Sequence, residues 1–200
     1  MWKQLEQGLI ELSKGEEDRL RRVFERLDRN GDGFIDVADL RAVMATLNYE
    51  PAKGELEDMI WEVDENMSKS LKSVTMMLCT CNLHCSYQAF SIMYRRVRMD
   101  AAGIEPRKLY TLADFMMNDK NGDCKVAMDE AVQLMFMRYG KSFSQDEIKM
   151  LFKDTADKSG TISFREFRDY VERQHDALEK KREEAKLKSM KGRPKGKTLD

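Results

Sequence analysis

Residues 28–39 read Asp28-Arg-Asn-Gly-Asp32-Gly33-Phe-Ile-Asp36-Val-Ala-Asp39, an oxygen-rich segment with a glycine at its centre. The residues before this segment place apolar side chains at helical spacing, namely Leu20, Val23, Phe24 and Leu27. The residues after it repeat that spacing with Leu40, Val43, Met44 and Leu47. The pattern predicts two amphipathic helices joined by a polar loop.

Related segments recur at Asp119–Glu130 and Thr155–Glu166, each with apolar residues at helical spacing before and after it. A further segment begins at Asp64 after a helical pattern of the same kind. There, Lys69 takes the place of the central glycine and Thr75 takes the place of the closing acid. Four repeats in two pairs, with the second repeat interrupted, are therefore predicted.

These repeats resemble EF-hands, and the chain resembles the four-hand calmodulin superfamily from about Lys14 to Gln174. The resemblance implies an all-α fold of two EF-hand pairs (two lobes) with an extended, charged C-terminal helix and tail. The expected domains are an N-terminal pair over 1–100, a C-terminal pair over 101–174 and a basic tail over 175–200.

The first loop matches the ligand pattern of the family at every position but the last. A hard cation is held there by oxygen atoms, with a backbone carbonyl in the middle of the loop. The expected ligands are the side chains of Asp28, Asn30, Asp32, Asp36 and Asp39 and the carbonyl of Phe34. Asp39 is one methylene shorter than the usual glutamate, which lowers the expected Ca²⁺ affinity and makes Mg²⁺ a second candidate at this loop.

The other loops depart further from the pattern. The third loop offers Asp119, Asn121, Asp123, the carbonyl of Lys125, and Glu130, with Cys124 in the position of the glycine. The fourth loop offers a weaker set, Thr155, Asp157, Ser159, the carbonyl of Thr161, and Glu166. Weak binding and an empty loop that only pairs with the third remain alternatives for it. The second loop, without an acid at closure, is predicted not to bind metal.

The second hand is interrupted by extra chain over about 67–89. Its Cys79, Cys81, His84 and Cys85 are potential zinc ligands, but they crowd into one short segment with no second cluster elsewhere. The spacing therefore favours a Ser/Thr/Cys-rich insertion over a zinc site. Residues 86–90 resemble the end of the fourth loop, as if the hand resumed there with alanine at the closing position.

Composition narrows the class of protein. Of the 200 residues, 42% are apolar and 36% are charged, and the net charge of −1 hides an acidic body and a basic tail. No apolar stretch is long enough to span a membrane, and no signal-peptide pattern opens the chain. A cytoplasmic protein is expected. The basic tail leaves several alternatives open: a solvated end, or contact with nucleic acid, anionic lipid or the acidic surface of a cytoskeletal polymer, the last of which would associate the protein with the cytoskeleton or a cilium. The tail lacks interleaved aromatic residues, so sequence-specific nucleic-acid binding is not expected.

Two functions fit these observations. The first is a Ca²⁺ sensor or adaptor that binds amphipathic helices of protein partners, favoured by 15 methionines, many of them near the loops. The second is a structural light chain or a cytoskeletal or axonemal component that uses EF-hands as packing modules and responds little to Ca²⁺. Its basic tail would then contact an acidic cytoskeletal surface. No nucleophile–base set or phosphate-binding loop is present, so an enzyme is not expected.

Overall fold

The computed structural model describes residues 10–64, 84–100, 104–130 and 160–191. Its helices are α1 (Lys14–Leu27), α2 (Val37–Thr46), α3 (Glu55–Asp64), α4 (Tyr87–Met99), α5 (Lys108–Asn118) and α6 (Phe164–Lys191). Its strands are β1 (Phe34–Asp36), β2 (His84–Ser86), β3 (Lys125–Ala127) and β4 (Thr161–Ser163). The chain is also helical over residues 128–130, where that described range stops. The architecture is the all-α EF-hand arrangement expected from the sequence.

The first helix forms where the sequence predicts it. Ser13 caps α1 through a reciprocal pair of hydrogen bonds with Glu16, which satisfies amides that a helix start leaves without partners. The four apolar residues spaced for one helix face, Leu20, Val23, Phe24 and Leu27, are all buried. Helix α1 therefore reaches the polar loop with its apolar face fixed against the core.

Short antiparallel strands join the hands in two pairs. Strand β1 pairs with β2, with Ile35 opposite Cys85, and β3 pairs with β4, with Val126 opposite Ile162. All four of these side chains are buried. Since the strands carry the middle of each loop, the pairing couples the first hand to the second and the third to the fourth.

The second hand resumes earlier than the sequence indicates. Residues 84–89, assigned above to the insertion, form β2 and the first turn of α4, with the Ala89 amide bonded to the Ser86 hydroxyl. The inserted chain therefore ends by residue 83. The reason is tertiary, because Cys85 is buried opposite Ile35 of the first hand.

The pairing of β2 with β1 also argues against Cys85 as a zinc ligand. Burial raises the pKa of the Cys85 thiol to about 12, so this cysteine stays protonated at neutral pH. Its place in the strand pair is that of an apolar core residue. Cys79 and Cys81 lie outside the described residues.

Within the described ranges the two pairs pack against each other and share one hydrophobic core. Tyr49, in the linker between α2 and α3, meets Phe164 of α6 edge-on with ring centroids 5.3 Å apart. The ring centroids of Tyr94 in α4 and Tyr110 in α5 lie 4.9 Å apart. Arg168 of α6 pairs with Glu55 of α3 at 3.3 Å. The sequence predicts two pairs correctly, but their close contact is a feature that it does not indicate.

Helix α5, which leads into the third loop, is capped at both ends by the first pair. Its own residue before the first turn, Arg107, makes no side-chain capping bond. Instead, the carboxylate of Glu62 in α3 accepts hydrogen bonds from the amides of Lys108 (3.1 Å) and Leu109 (2.9 Å). At the other end, Arg26 of α1 donates to the carbonyls of Met116 and Asp119. The ionised form of Glu62 at the N-terminus and the positive charge of Arg26 at the C-terminus both match the helix dipole.

The buried Glu62 predicts a pH dependence of stability. Burial raises the pKa of this carboxyl from 4.5 to about 7, and the amides of Leu109 and Lys108 offset only part of that rise. Between these pH values the folded state binds more protons than the unfolded state, so the free energy of unfolding falls as the pH rises toward 7. Glu62→Gln removes this effect. The free energy of unfolding of the variant minus that of the parent is therefore expected to rise by up to about 3 kcal/mol as the pH goes from 4.5 to 8.

Urea unfolding across this pH range tests the prediction. The matched control is Glu57→Gln, which makes the same exchange at an exposed glutamate on the same helix and is expected to leave the free energy of unfolding close to that of the parent. Parallel pH curves for the parent and Glu62→Gln would contradict the prediction.

Candidate metal-binding loops

Asp28 organises the start of the first loop. One of its carboxylate oxygens accepts the amides of Gly31 (2.8 Å) and Asp32 (3.2 Å), and the other accepts the amide of Gly33 (2.9 Å). Gly33 has φ +85°, a left-handed conformation that glycine adopts without strain. These bonds wrap the loop backbone around the first expected ligand.

Asn30 and Asp32 are held next to each other in the same loop. The Asn30 amide group donates to Asp32 at 3.1 Å, and the Asp32 backbone amide donates to the Asn30 side-chain oxygen at 2.8 Å. Asp32 also accepts the backbone amide of Phe34 at 2.8 Å, where β1 begins. The side chains expected to supply ligands from the first half of the loop are thus fixed on one local network.

Asp36 and Asp39 close the first loop as a capping pair. Asp36 caps α2 and accepts the amide of Asp39, while Asp39 accepts the amides of Asp36 and, near the start of the loop, Arg29, both at 3.1 Å. Asp39 is 4% exposed, and burial, together with the charge of Asp36, raises the pKa of its carboxyl. A bound cation would offset this repulsion between neighbouring carboxylates.

The third loop repeats the network of the first. Asp119 accepts the amide of Gly122 at 2.7 Å and that of Cys124 at 3.3 Å. Asn121 donates to Asp123 at 2.9 Å, and Asp123 accepts the amide of Lys125 at 2.9 Å, where β3 begins. Two loops whose first residues lie 91 positions apart in the chain therefore share one arrangement of their candidate ligands.

Glu130, the expected closing ligand of the third loop, lies in the first turn of the helix that follows it. It is 9% exposed, and one of its carboxylate oxygens accepts the amide of Ala127 at 3.0 Å. In the first loop Asp39 makes the equivalent bond to the amide of Asp36. The closing carboxylate is therefore in place at both loops.

Cys124 adopts φ +65° in the position that Gly33 fills in the first loop. A residue with a Cβ atom is strained in that left-handed conformation, so Cys124→Gly is expected to raise the free energy of unfolding by about 1 kcal/mol. Thermal unfolding of the metal-free protein measures this. Cys124→Ala, which removes the thiol and keeps the Cβ atom, is the control and is expected to give no such gain. An equal gain in both variants would assign the effect to the thiol.

Sequence reasoning missed one residue at the third loop. The guanidinium of Arg26, from the helix before the first loop, pairs with the Asp119 carboxylate at 3.1 Å. The Asp119 side chain is 0% exposed, and that of Arg26 is 37% exposed. No local pattern signals this contact, because the two residues are far apart in the chain and belong to different hands.

The remaining loops are described only in part. In the fourth loop Glu166 accepts the amide and the hydroxyl of Ser163, both at 2.8 Å, and Thr161 begins β4. Thr155, Asp157 and Ser159 lie outside the described residues, as does the second loop between Asp64 and His84. Because β2 pairs with β1, Ala89 of the second hand corresponds to Asp39 of the first, and it carries no carboxylate.

The donor sets of the first and third loops fit a hard divalent cation. Both sets consist of carboxylate, amide and carbonyl oxygens, which are the ligands that Ca²⁺ and Mg²⁺ prefer. In both loops the first ligand is bonded to loop amides, and the closing acid is bonded to the start of the next helix. When bound, the cation would neutralise the carboxylates that each loop brings together.

Comparison with known proteins finds EF-hand and calcium-binding proteins among the matches. Residues 17–72 match the family model described as an EF-hand domain pair. Centrin-1 of Bos taurus is 38% identical over 55 residues, which are 28% of this chain and 32% of that protein, so the chain spans about a third of its length. The probable calcium-binding protein CML13 of Oryza sativa subsp. japonica is 26% identical over 159 residues, or 78% and 82% of the two chains. The myosin regulatory light chain LC-2 from mantle muscle of Todarodes pacificus is 24% identical over 155 residues, or 78% and 86%.

One further property concerns membranes. Within the ranges that the structure describes, no helix combines the length and the apolar character that crossing a bilayer requires.

Proposed function

We propose that this chain, which is an EF-hand protein, binds Ca²⁺ at its first and third loops and acts as a Ca²⁺-dependent regulatory protein. The observation that carries the proposal is the repeated network of hydrogen bonds around the two oxygen-only ligand sets. The relatives reported above have the names of calcium-binding and light-chain proteins, which supports a binding role without catalysis. Mg²⁺ is a competitor at the first loop because Asp39 closes it with a short side chain.

The methionines give the regulatory role a physical basis. Five of the described methionines are buried, namely Met44, Met59, Met93, Met116 and Met117, whereas Met99 at the end of α4 and Met128 in the third loop are each 44% exposed. Flexible thioether side chains of this kind line the grooves with which Ca²⁺ sensors hold amphipathic helices. Ca²⁺ binding would expose part of this methionine surface to a helical segment of a protein partner.

The weaker loops favour an alternative, a structural light chain or cytoskeletal component. Ala89 leaves the second hand without a closing acid, so each pair keeps one well-formed loop. The likeness to a myosin regulatory light chain supports this second candidate. In that case the protein would reside in the cytoplasm with the cytoskeleton or a cilium, with its basic tail on an acidic surface.

Calorimetric titration with Ca²⁺ at about 1 mM Mg²⁺ tests the first proposal. Sensor sites fill between roughly 10⁻⁷ and 10⁻⁵ M Ca²⁺, so one or two events in that range are expected. A pull-down with and without Ca²⁺ then separates the two candidates, since only the sensor gains partners when Ca²⁺ is present. Binding only at millimolar Ca²⁺, with the same partners in both conditions, would overturn the sensor and favour the structural role.

A further inference from the structure

Arg26 of the first hand lies at the third loop. One nitrogen of its guanidinium pairs with an Asp119 carboxylate oxygen at 3.1 Å, and another donates to the carbonyls of Met116 and Asp119, each at 3.4 Å. A Cβ atom added to Gly122, inside the loop, would lie 4.0 Å from the guanidinium. The positive charge thus sits against the first candidate ligand and against the loop backbone.

This ion pair differs from a solvent-exposed salt bridge, which contributes little. Exposed pairs are screened by water and lose side-chain entropy on forming. Here the carboxylate is fully buried and the guanidinium makes three hydrogen bonds at the end of α5. Asp28 is the equivalent candidate ligand of the first loop. Its described hydrogen bonds come from the backbone amides of Gly31, Asp32 and Gly33. The two loops therefore present their first ligand in different electrostatic surroundings.

We propose that Arg26 is a built-in counter-ion of the third loop, which lowers the Ca²⁺ affinity of that loop and makes its filling oppose the contact between the two pairs. The proposal rests on the function proposed above and assigns a regulation to one of its sites. A cation bound by Asp119 would lie within several ångströms of the guanidinium, and the repulsion between these charges lowers affinity by about tenfold even in a strongly screening medium.

Coupling to the contact between the pairs follows from linkage. If Arg26 lowers the affinity of the third loop for Ca²⁺, Ca²⁺ in that loop must weaken the hold of Arg26 by the same factor. Arg26 holds the C-terminal end of α5, and Glu62 holds its N-terminal end through the amides of Lys108 and Leu109. Filling of the loop therefore favours release of α5 from the first pair, which would uncover Met116 and Tyr110 at the contact.

The test compares Arg26→Gln with Arg22→Gln in the full chain. Arg22 is exposed one turn earlier on the same helix, so its replacement removes an equal charge without removing the contact with Asp119. Both changes are made in an Asp28→Ala background, which leaves the third loop as the main site for Ca²⁺ calorimetry. Arg26→Gln is expected to bind Ca²⁺ about tenfold more tightly than this background, and Arg22→Gln is expected to bind within about twofold of it.

Hydrogen exchange gives a second readout that does not depend on affinity. In the parent, Ca²⁺ is expected to speed exchange at the amides of Lys108 and Leu109, which are bonded to Glu62 across the pairs. In Arg26→Gln these amides are expected to exchange faster before Ca²⁺ is added. If this variant fails to fold, Arg26→Lys takes its place, since lysine keeps the charge and loses the paired geometry. Its Ca²⁺ affinity is expected to lie between that of the Asp28→Ala background and a value about tenfold tighter.

Each outcome decides the proposal. A lower melting temperature for Arg26→Gln with unchanged Ca²⁺ affinity would make Arg26 only a cap of α5 and would overturn the coupling, while the proposed Ca²⁺ site would stand. A lack of Ca²⁺ binding at the third loop in every variant would overturn both the site and the coupling. If Arg26→Lys has the Ca²⁺ affinity of the background and unchanged hydrogen exchange at Lys108 and Leu109, the coupling is also overturned.

Discussion

Replacing Asp28 with alanine is expected to remove the Ca²⁺-binding event of the first loop, with a fall in affinity of more than about 100-fold. Loss of an outer partner of a metal ligand already costs about 10- to 100-fold, and Asp28 is itself a candidate ligand. Its carboxylate also holds the amides of Gly31, Asp32 and Gly33, so the substitution removes both a charge and the bonds that shape the loop. Calorimetry on Asp28→Ala should show one event fewer than the parent.

Asp18→Ala is the control for this experiment. Asp18 is an exposed aspartate on α1, in the helix that leads to the same loop, and its removal changes the net charge equally. Its titration is expected to match that of the parent. An Asp28→Ala titration that also matches the parent would remove the first loop from the set of Ca²⁺ sites.

Glu130→Gln is expected to remove the Ca²⁺-binding event of the third loop, again by more than about 100-fold, and to leave the metal-free fold intact. The closing carboxylate supplies two oxygens to a bound Ca²⁺ in such loops, whereas an amide supplies one oxygen and no charge. In the absence of metal, Glu130 accepts one hydrogen bond from the amide of Ala127, and a glutamine oxygen can accept the same bond. The free energy of unfolding without Ca²⁺ should therefore change by less than about 1 kcal/mol.

Asp129→Asn provides a matched change next to this site. Asp129 is exposed beside the buried Glu130, and the substitution is the same exchange of a carboxylate for an amide. Calorimetry with Ca²⁺ should give the parent isotherm for Asp129→Asn and one event fewer for Glu130→Gln. Equal isotherms for the two variants would show that the third loop does not depend on its closing acid.

The geometry of the two loops was predictable because it is local. Asp28 and Asp119 bond to amides within five residues, and Asn30 and Asn121 each bond to the aspartate two residues later. Contacts of such short range depend little on the rest of the chain. The sequence likewise identifies Cys124 as the residue in the left-handed position, and its φ of +65° agrees. Metal binding at the two loops stays a prediction, which the calorimetric titrations test.

The restart of the second hand could not be located from neighbouring residues alone. The pattern Ser86–Phe90 suggests a resumed loop end, but only the pairing of β2 with β1 places the restart at His84. Burial of Cys85 opposite Ile35 selects this register, and a sequence pattern of three residues cannot identify its partner. Residues 84–89, expected in the insertion, therefore belong to β2 and the start of α4.

Sequence alone predicts four helix–loop–helix units in two pairs and the candidate ligands of the first and third loops, because short-range hydrogen bonds and helical periodicity depend on neighbouring residues. Three features depend on tertiary contacts: the two pairs share a core, Glu62 and Arg26 cap the two ends of α5, and a positive charge from the first hand lies on Asp119 of the third. These contacts join residues 46 to 93 positions apart. Their free energy depends on how the helices pack, which no local pattern encodes.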